Sequence, residues 1–260
     1  MIRHFALTLI CLTSIPIPVA AIVGGGRTVS VREVPIVAVL GKRSDGLRRT
    51  RAVFCTATPL ARDLVLTAAH CVWPDAQVGV VPTPGARPIP VTEIAWHPQF
   101  SAQAYERHRA TADVALLRLT FPLPEIISPV ALGAPSEPVA VGDRLTIAGV
   151  GSTVPGADEF DGLARATTLV VTGRPGNLQV RLVDPITRGE RAGLGACSAD
   201  SGGPALREIG KKLRVIGVIS WTTGPAESEG CGGLTGITPL SLYRSWIVEQ
   251  AAKMGRQIGQ

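Results

Sequence analysis

The chain has 260 residues, 45% hydrophobic and 18% charged, which excludes a disordered segment and supplies enough apolar material for a core. Its 29 Gly and 21 Pro exclude an architecture of long helices, and only 2 Met argue against a Met-rich binding surface. The formal charge of +6 comes mostly from arginines scattered along the chain, not from the concentrated basic stripe of a nucleic-acid binder, so no nucleic-acid partner is expected.

The chain opens with Arg3, an apolar run from Phe5 to Leu12, then Pro16, Pro18 and Val19-Ala20-Ala21. This is the pattern of a secretory signal peptide over residues 1–21, cleaved after Ala21. The run falls well short of the roughly 20 residues that span a bilayer. No later segment approaches that length, so the mature protein is expected to be secreted or periplasmic, with no membrane span. Cys11 leaves with the leader. Cys55, Cys71, Cys197 and Cys231 remain, an even number in an oxidising compartment, with three possible pairings. Their spacing contains no C-x-x-C, and neither a metal nor a cofactor is expected.

Short β-prone runs follow: Ile36 to Leu40, Leu64 to Thr67, Gln77 to Val81, Ile89 to Trp96, Val114 to Leu119, Arg144 to Val150, Thr167 to Thr172, Leu178 to Val183 and Leu213 to Trp221. Gly, Pro and Asp clusters separate them, which predicts an all-β sandwich or barrel. Five prolines between Pro122 and Pro138 read as a semi-rigid crossing between two halves. The one convincing helix is the last, with Leu242, Trp246, Ile247, Ala251 and Met254 at helical spacing and Ser241 as its N-cap.

Three short motifs carry chemistry. In Gly195-Ala196-Cys197-Ser198-Ala199-Asp200-Ser201-Gly202-Gly203-Pro204, glycines after a serine allow a sharp turn that exposes the hydroxyl. A free serine is a weak nucleophile and requires a base. Leu66-Thr67-Ala68-Ala69-His70-Cys71 offers one. Ala112-Asp113-Val114-Ala115-Leu116-Leu117 places an acid at the start of an apolar strand, where it could orient the imidazole. His97 reads as structural, and His108 as part of an exposed loop.

These motifs, in the order His, Asp, Ser, resemble those of the trypsin/chymotrypsin-like serine peptidases, not those of subtilisin or the α/β-hydrolases. The resemblance runs from Ile22-Val23-Gly24-Gly25, through Trp96-His97-Pro98, Gly149-Val150-Gly151 and Ser220-Trp221, to Trp246-Ile247. It implies two six-stranded antiparallel β-barrels with a C-terminal helix. The expected bounds are 22–260 for the peptidase domain, about 22–121 for the first barrel, about 122–140 for the crossing, about 141–240 for the second barrel and about 241–255 for the helix.

The resemblance also implies roles. Ser201 is the expected nucleophile, His70 the base and Asp113 the orienting carboxylate, with Ser220 bonded to that carboxylate. The N–H groups of Ala199 and Ser201 form the expected oxyanion hole. Ile22, once its amine is free, pairs with Asp200. The implied disulfides are Cys55–Cys71 and Cys197–Cys231. Gly195 stands at the floor of the specificity pocket, with Thr222, Thr235 and Gly236 at its walls, and the backbone from Ser220 through Trp221 to Thr222 pairs with an extended substrate. A neutral floor suits a small or medium apolar residue at P1, the position before the scissile bond. The partners implied are polypeptide substrates and protein inhibitors. No Lys or Arg lies between Arg3 and Arg27, so cleavage of the leader itself is expected to expose Ile22.

Two positions depart from the family pattern. Ala199 stands where Gly is usual, at a site whose φ is often positive; a Cβ there costs on the order of 1 kcal/mol. Thr56-Ala57 follows Cys55 where Gly-Gly is usual, and is expected to narrow the leaving-group side. The alternative reading is therefore a weak or inactive homologue acting as a binding or regulatory module. Lys42, Arg43, Arg48, Arg49 and Arg51 form a basic hairpin tip, with Asp45 its sole acid.

Overall fold

The structure is a computed structural model that describes residues 22–44, 50–73, 76–136, 138–152, 162–225 and 228–258. The leader at 1–21, Asp45, Arg48, Arg49 and the side chains of Arg43 and Arg51 lie outside the described residues. No helix among those described is long and apolar enough to cross a membrane.

Among the described residues, fourteen strands and two α-helices follow in chain order. They are β1 (Arg27–Thr28), β2 (Val37–Ser44), β3 (Thr50–Ala61), β4 (Leu64–Thr67), β5 (Gln77–Val81), β6 (Ile89–Trp96), α1 (Ala102–Glu106) and β7 (Ala115–Leu119). Then come β8 (Ala131–Leu132), β9 (Arg144–Gly149), β10 (Arg165–Gly173), β11 (Val180–Val183), β12 (Pro204–Ile209), β13 (Lys212–Thr222), β14 (Thr235–Pro239) and α2 (Arg244–Lys253).

Strands β2-β3-β4-β7-β6-β5 close into one antiparallel barrel. A second six-stranded ring runs β9-β10-β11-β14-β13-β12 and closes where β12 pairs with β9. Closure removes exposed strand edges, so short strands suffice. Every residue of β4 is buried. Each fully buried leucine there contributes roughly 2 kcal/mol. The two-residue β1 pairs with β10, and β8 lies parallel to β13.

The proline-rich segment connects both rings. Leu123 N–H donates to Arg62 O and Val130 N–H to Pro59 O in the first barrel, at 2.5 and 2.8 Å; Gly133 N–H then donates to Val215 O in the second, at 2.9 Å. At the other end of the chain, Ile247, Ala251 and Met254 of α2 and its C-cap are buried. His97 docks edge-on against Tyr243 and Trp246, with centroids 4.8 and 5.0 Å apart, which gives this histidine the expected structural place. Burial holds its pKa below the ordinary value. Arg256, just beyond α2, donates Nε–H to Asp63 Oδ1 at 2.5 Å, and Arg118 of β7 pairs with the same carboxylate.

Three details differ from expectation. Ser241 does not cap the last helix: Leu240–Leu242 form a 3-10 turn, and α2 starts after Tyr243 without a side-chain cap. Leu242 is about half exposed, and Tyr243 is buried in its place. A further helix, α1, interrupts the strands, its first turn capped where Ser101 Oγ accepts from Ala104 N–H at 3.1 Å.

Candidate active site

His70 lies in a 3-10 turn, Ala69–Cys71, directly after β4. Asp113 lies two residues before β7. The pairing of Thr67 with Ala115 sets these two chain ends side by side. Asp113 accepts from His70 twice, from the backbone N–H at 2.9 Å and from ring Nδ1 at 2.7 Å. Ser220 Oγ donates to Asp113 Oδ2 at 2.5 Å. The carboxylate side chain is 1% exposed and the imidazole 11%. Burial works to raise the Asp113 pKa, but the His70 charge and the hydrogen bonds outweigh it, so the carboxyl stays below its ordinary value. Such a carboxylate fixes the proton on Nδ1 and leaves Nε2 as the basic nitrogen.

Ser201 sits on the loop between β11 and β12, half buried. Cys71 Sγ lies 3.8 Å from His70 Nε2 and 3.7 Å from Ser201 O, so the two residues share one neighbour. No hydrogen bond joins Ser201 Oγ to His70 among the described residues; in substrate-free enzymes such bonds are often long and tighten with substrate. The disulfides are Cys55–Cys71 and Cys197–Cys231. Cys55, His70 and Cys71 cluster within 4.8 Å, but both sulfurs are spent on the bridge, which leaves a single ligand for any metal.

Ala199 has φ 68°, so it adopts the left-handed conformation that glycine takes without penalty. Gly202, with φ 83°, makes the next turn; a Cβ there would lie 2.1 Å from Thr67 Oγ1. Between them Asp200 is fully buried. Its carboxylate accepts from Cys197 N–H and Gly151 N–H, both at 2.9 Å, and from Ile22 N–H. Burial pushes its pKa up to about 7 against those bonds and the nearby Arg165 charge. Ile22 is 0% exposed and packs in the core of the second barrel.

At the residues expected to form the specificity pocket, Gly195 bridges to Val23, and a Cβ on Gly195 would approach Gly232 Cα to 2.9 Å. Ala196, the next residue, is tied on both sides. Its N–H donates to Thr235 Oγ1 at 3.0 Å, and its carbonyl accepts from Thr222 Oγ1 at 2.9 Å. Gly236 lies under the Trp221 indole, where a Cβ would be 1.9 Å from the ring. Asp184, unremarked in the sequence, is buried and accepts from Ile186 and Leu194 N–H at 2.9 and 3.1 Å, bracing the loop ahead of Gly195.

The main residue missed by the sequence reading is Tyr105. From α1 its ring stacks on the His70 imidazole, centroids 4.2 Å apart and planes 12° apart. Its hydroxyl is 3.4 Å from Ser220 O, and burial pushes its pKa up. The only local signal was Ser101, an N-cap ahead of Ala102-Gln103-Ala104-Tyr105. His108 is exposed, as expected. Thr56 does not narrow a leaving-group site: it is 0% exposed, and its side chain turns inward.

Residues 23–247 match the family described as Trypsin. The chain belongs to the trypsin family. Among curated relatives, it is 30% identical over 258 residues to "Transmembrane protease serine 5" of Homo sapiens, covering 90% of this chain and 52% of that protein. It is 28% identical over 264 residues to "Phenoloxidase-activating factor 1" of Holotrichia diomphalia, covering 87% of this chain and 68% of that one. The chain thus spans about half the length of the first relative and about two thirds of the second. The trypsin family comprises serine-type endopeptidases. The paired barrels and the two disulfides are those of a trypsin-family chain.

Proposed function

We propose that this chain is an exported serine endopeptidase that cleaves polypeptides through an acyl-enzyme. The observation that carries the reading is the pair of hydrogen bonds from His70 to Asp113 at 2.9 and 2.7 Å, with Cys71 as the neighbour that His70 and Ser201 share. Ser201 Oγ attacks the scissile carbonyl while His70 Nε2 takes its proton. Asp113 stabilises the imidazolium. The N–H groups of Ala199 and Ser201 receive the developing oxyanion. His70 then returns the proton to the leaving amine, and water repeats the sequence to release the acid.

Activation follows from the Ile22 pocket. A neutral amide now meets Asp200, whose carboxyl is pushed up to about 7 by burial. A free ammonium at Ile22 would supply the full charge that keeps the carboxylate ionised. Ile22 also has φ 53°, an outlier for a β-branched residue, and this angle exists only while Ala21 is attached. Leader cleavage after Ala21 would therefore relieve strain and complete the pair in one step.

The P1 residue is small or medium and apolar. The hydroxyls of Thr222 and Thr235 both bind Ala196, and Gly195 leaves the expected floor without a charge. Tyr105, stacked on His70, lines the adjoining pocket beside Ser220, Trp221 and Thr222. The test is cleavage profiling of a peptide library with Ser201→Ala as control. Cuts after small or medium apolar residues, absent in the control, are expected; a strict Arg or Lys preference would overturn the pocket assignment.

A further inference from the structure

The two departures from the family pattern, Thr56 and Ala199, are 143 positions apart in sequence and in contact in the fold. Thr56 Oγ1 lies 2.9 Å from Ala199 O and 3.1 Å from Val150 N. The direction of the proton is fixed by its partners: a carbonyl only accepts and an amide N–H only donates. The hydroxyl therefore donates to Ala199 and accepts from Val150. The rest of Thr56 is equally committed. Its N–H donates to Ser201 O at 2.8 Å, and its carbonyl accepts from Thr67 Oγ1 at 2.8 Å. Thr56 thus grips the residue on either side of Asp200.

The consequence concerns the torsion at Ala199. Its φ of 68° joins two peptide units, and an alanine left to itself would rotate out of this region. The preceding unit is held where Ser198 O accepts from Ser152 N–H at 2.8 Å. The following unit is held by the Thr56 hydroxyl. With both carbonyls pinned, the torsion between them is locked, and so is the direction of the Ala199 N–H.

We propose that Thr56 is a positioning residue of the oxyanion hole, its buried hydroxyl compensating for the Cβ of Ala199. Resting on the serine-endopeptidase reading above, the inference makes a claim that reading does not: the two unusual residues are energetically one unit.

The test uses mature wild type, Thr56→Val, Thr56→Ser, Ala199→Gly and the Thr56→Val/Ala199→Gly double variant. Val keeps the shape of Thr and removes only the hydroxyl. The readouts are kcat and KM on a small-P1 peptide amide, and affinity for a peptide boronic acid, which places an oxygen in the hole. Thr56→Val should lower kcat by about 10²-fold, the order expected for one oxyanion donor, with KM within about twofold. Boronate affinity should fall in parallel. Thr56→Ser should restore activity to within about threefold. In the Ala199→Gly background, the Thr56→Val loss should shrink below about tenfold, because glycine holds the torsion unaided. Equal losses in both backgrounds, or no loss in Thr56→Val, would overturn the proposal. Denaturant unfolding of the same proteins reads the coupling without turnover: non-additive effects are expected, and additive ones contradict it. A wild type that hydrolyses nothing yet shows that non-additivity would mean the peptidase reading has failed while the Thr56–Ala199 unit stands.

Discussion

His70 and Asp113 stand at the ends of β4 and β7, two strands that pair with each other inside one barrel. Ser201, Ala199 and Asp200 stand on a loop of the other ring, held by the Cys197–Cys231 bridge, by Thr56 reaching over from β3, and by Ile22 from the start of the described chain. The proposed base and its acid are positioned by strand register, which forms with the fold. The proposed nucleophile and oxyanion donors depend on groups brought in from far along the chain, one of which would be covalently changed by cleavage after Ala21. The first half of the site is built in, and the second half is conditional.

The sharpest way to break the built-in half is Asp113→Asn. It keeps the shape but favours the wrong imidazole tautomer, and kcat should fall about 10⁴-fold in a protein of unchanged fold. A fall below tenfold would show that the two bonds to Asp113 do not set the tautomer. The conditional half should fail differently. A form retaining Ala21 should lose about 10²–10³-fold in activity, the scale of a misplaced oxyanion donor, while His70 and Asp113 remain bonded. Kinetics on protein starting at Ala21 and at Ile22 checks this.

The same two forms differ in pH response. With Ala21 attached, Asp200 has a folded pKa near 7 against an ordinary 3.8, so its contribution favours folding below about pH 4 and is lost as pH rises through about 7. The form starting at Ile22 should lack that decline, because the ammonium stabilises the ionised carboxylate. Denaturant midpoints between pH 4 and 8 decide, and identical curves would remove the charge from the activation argument.

Asp63 offers a smaller effect confined to the first barrel and α2. Its bond to Arg256 lowers its pKa to about 2, against partial burial and with further help from Arg118. This stability is present above pH 3.8 and is lost as pH falls through about 2. Asp63→Asn should cost about 2 kcal/mol at neutral pH and flatten acid unfolding over that window, with little change in kcat.

The same contrast governs what could be read from the sequence. His70, Asp113 and Ser201 stood out as candidates because each lies in a short run of residues whose local requirements are visible: an apolar strand ending near His70, another starting after Asp113, glycines following Ser201. Strand β3 was not read, because Pro59 interrupts it and Arg51 stands near its start. The register of β3 against β4 shifts right after Pro59. Strand β14 is Thr-Gly-Ile-Thr-Pro, too short and too turn-like to stand out, and β12 carries Arg207 and Glu208 on its outer half. Tyr105 and Thr56 were beyond reach for another reason. Each acts only through a partner distant in sequence, His70 for one and Ala199 for the other, and no local pattern encodes such a meeting. Ala199 and Thr56 were each recognised as unusual, but their compensation exists only in three dimensions.

The most direct test is the intact mass of the purified mature protein before and after a fluorophosphonate probe, which reacts only with an activated serine beside a working oxyanion hole. The account predicts a starting mass beginning at Ile22 with four oxidised thiols, and a single adduct that Ser201→Ala abolishes. A protein that starts at Ile22, carries both bridges and takes no adduct would contradict it and make this chain a binding module on a peptidase fold.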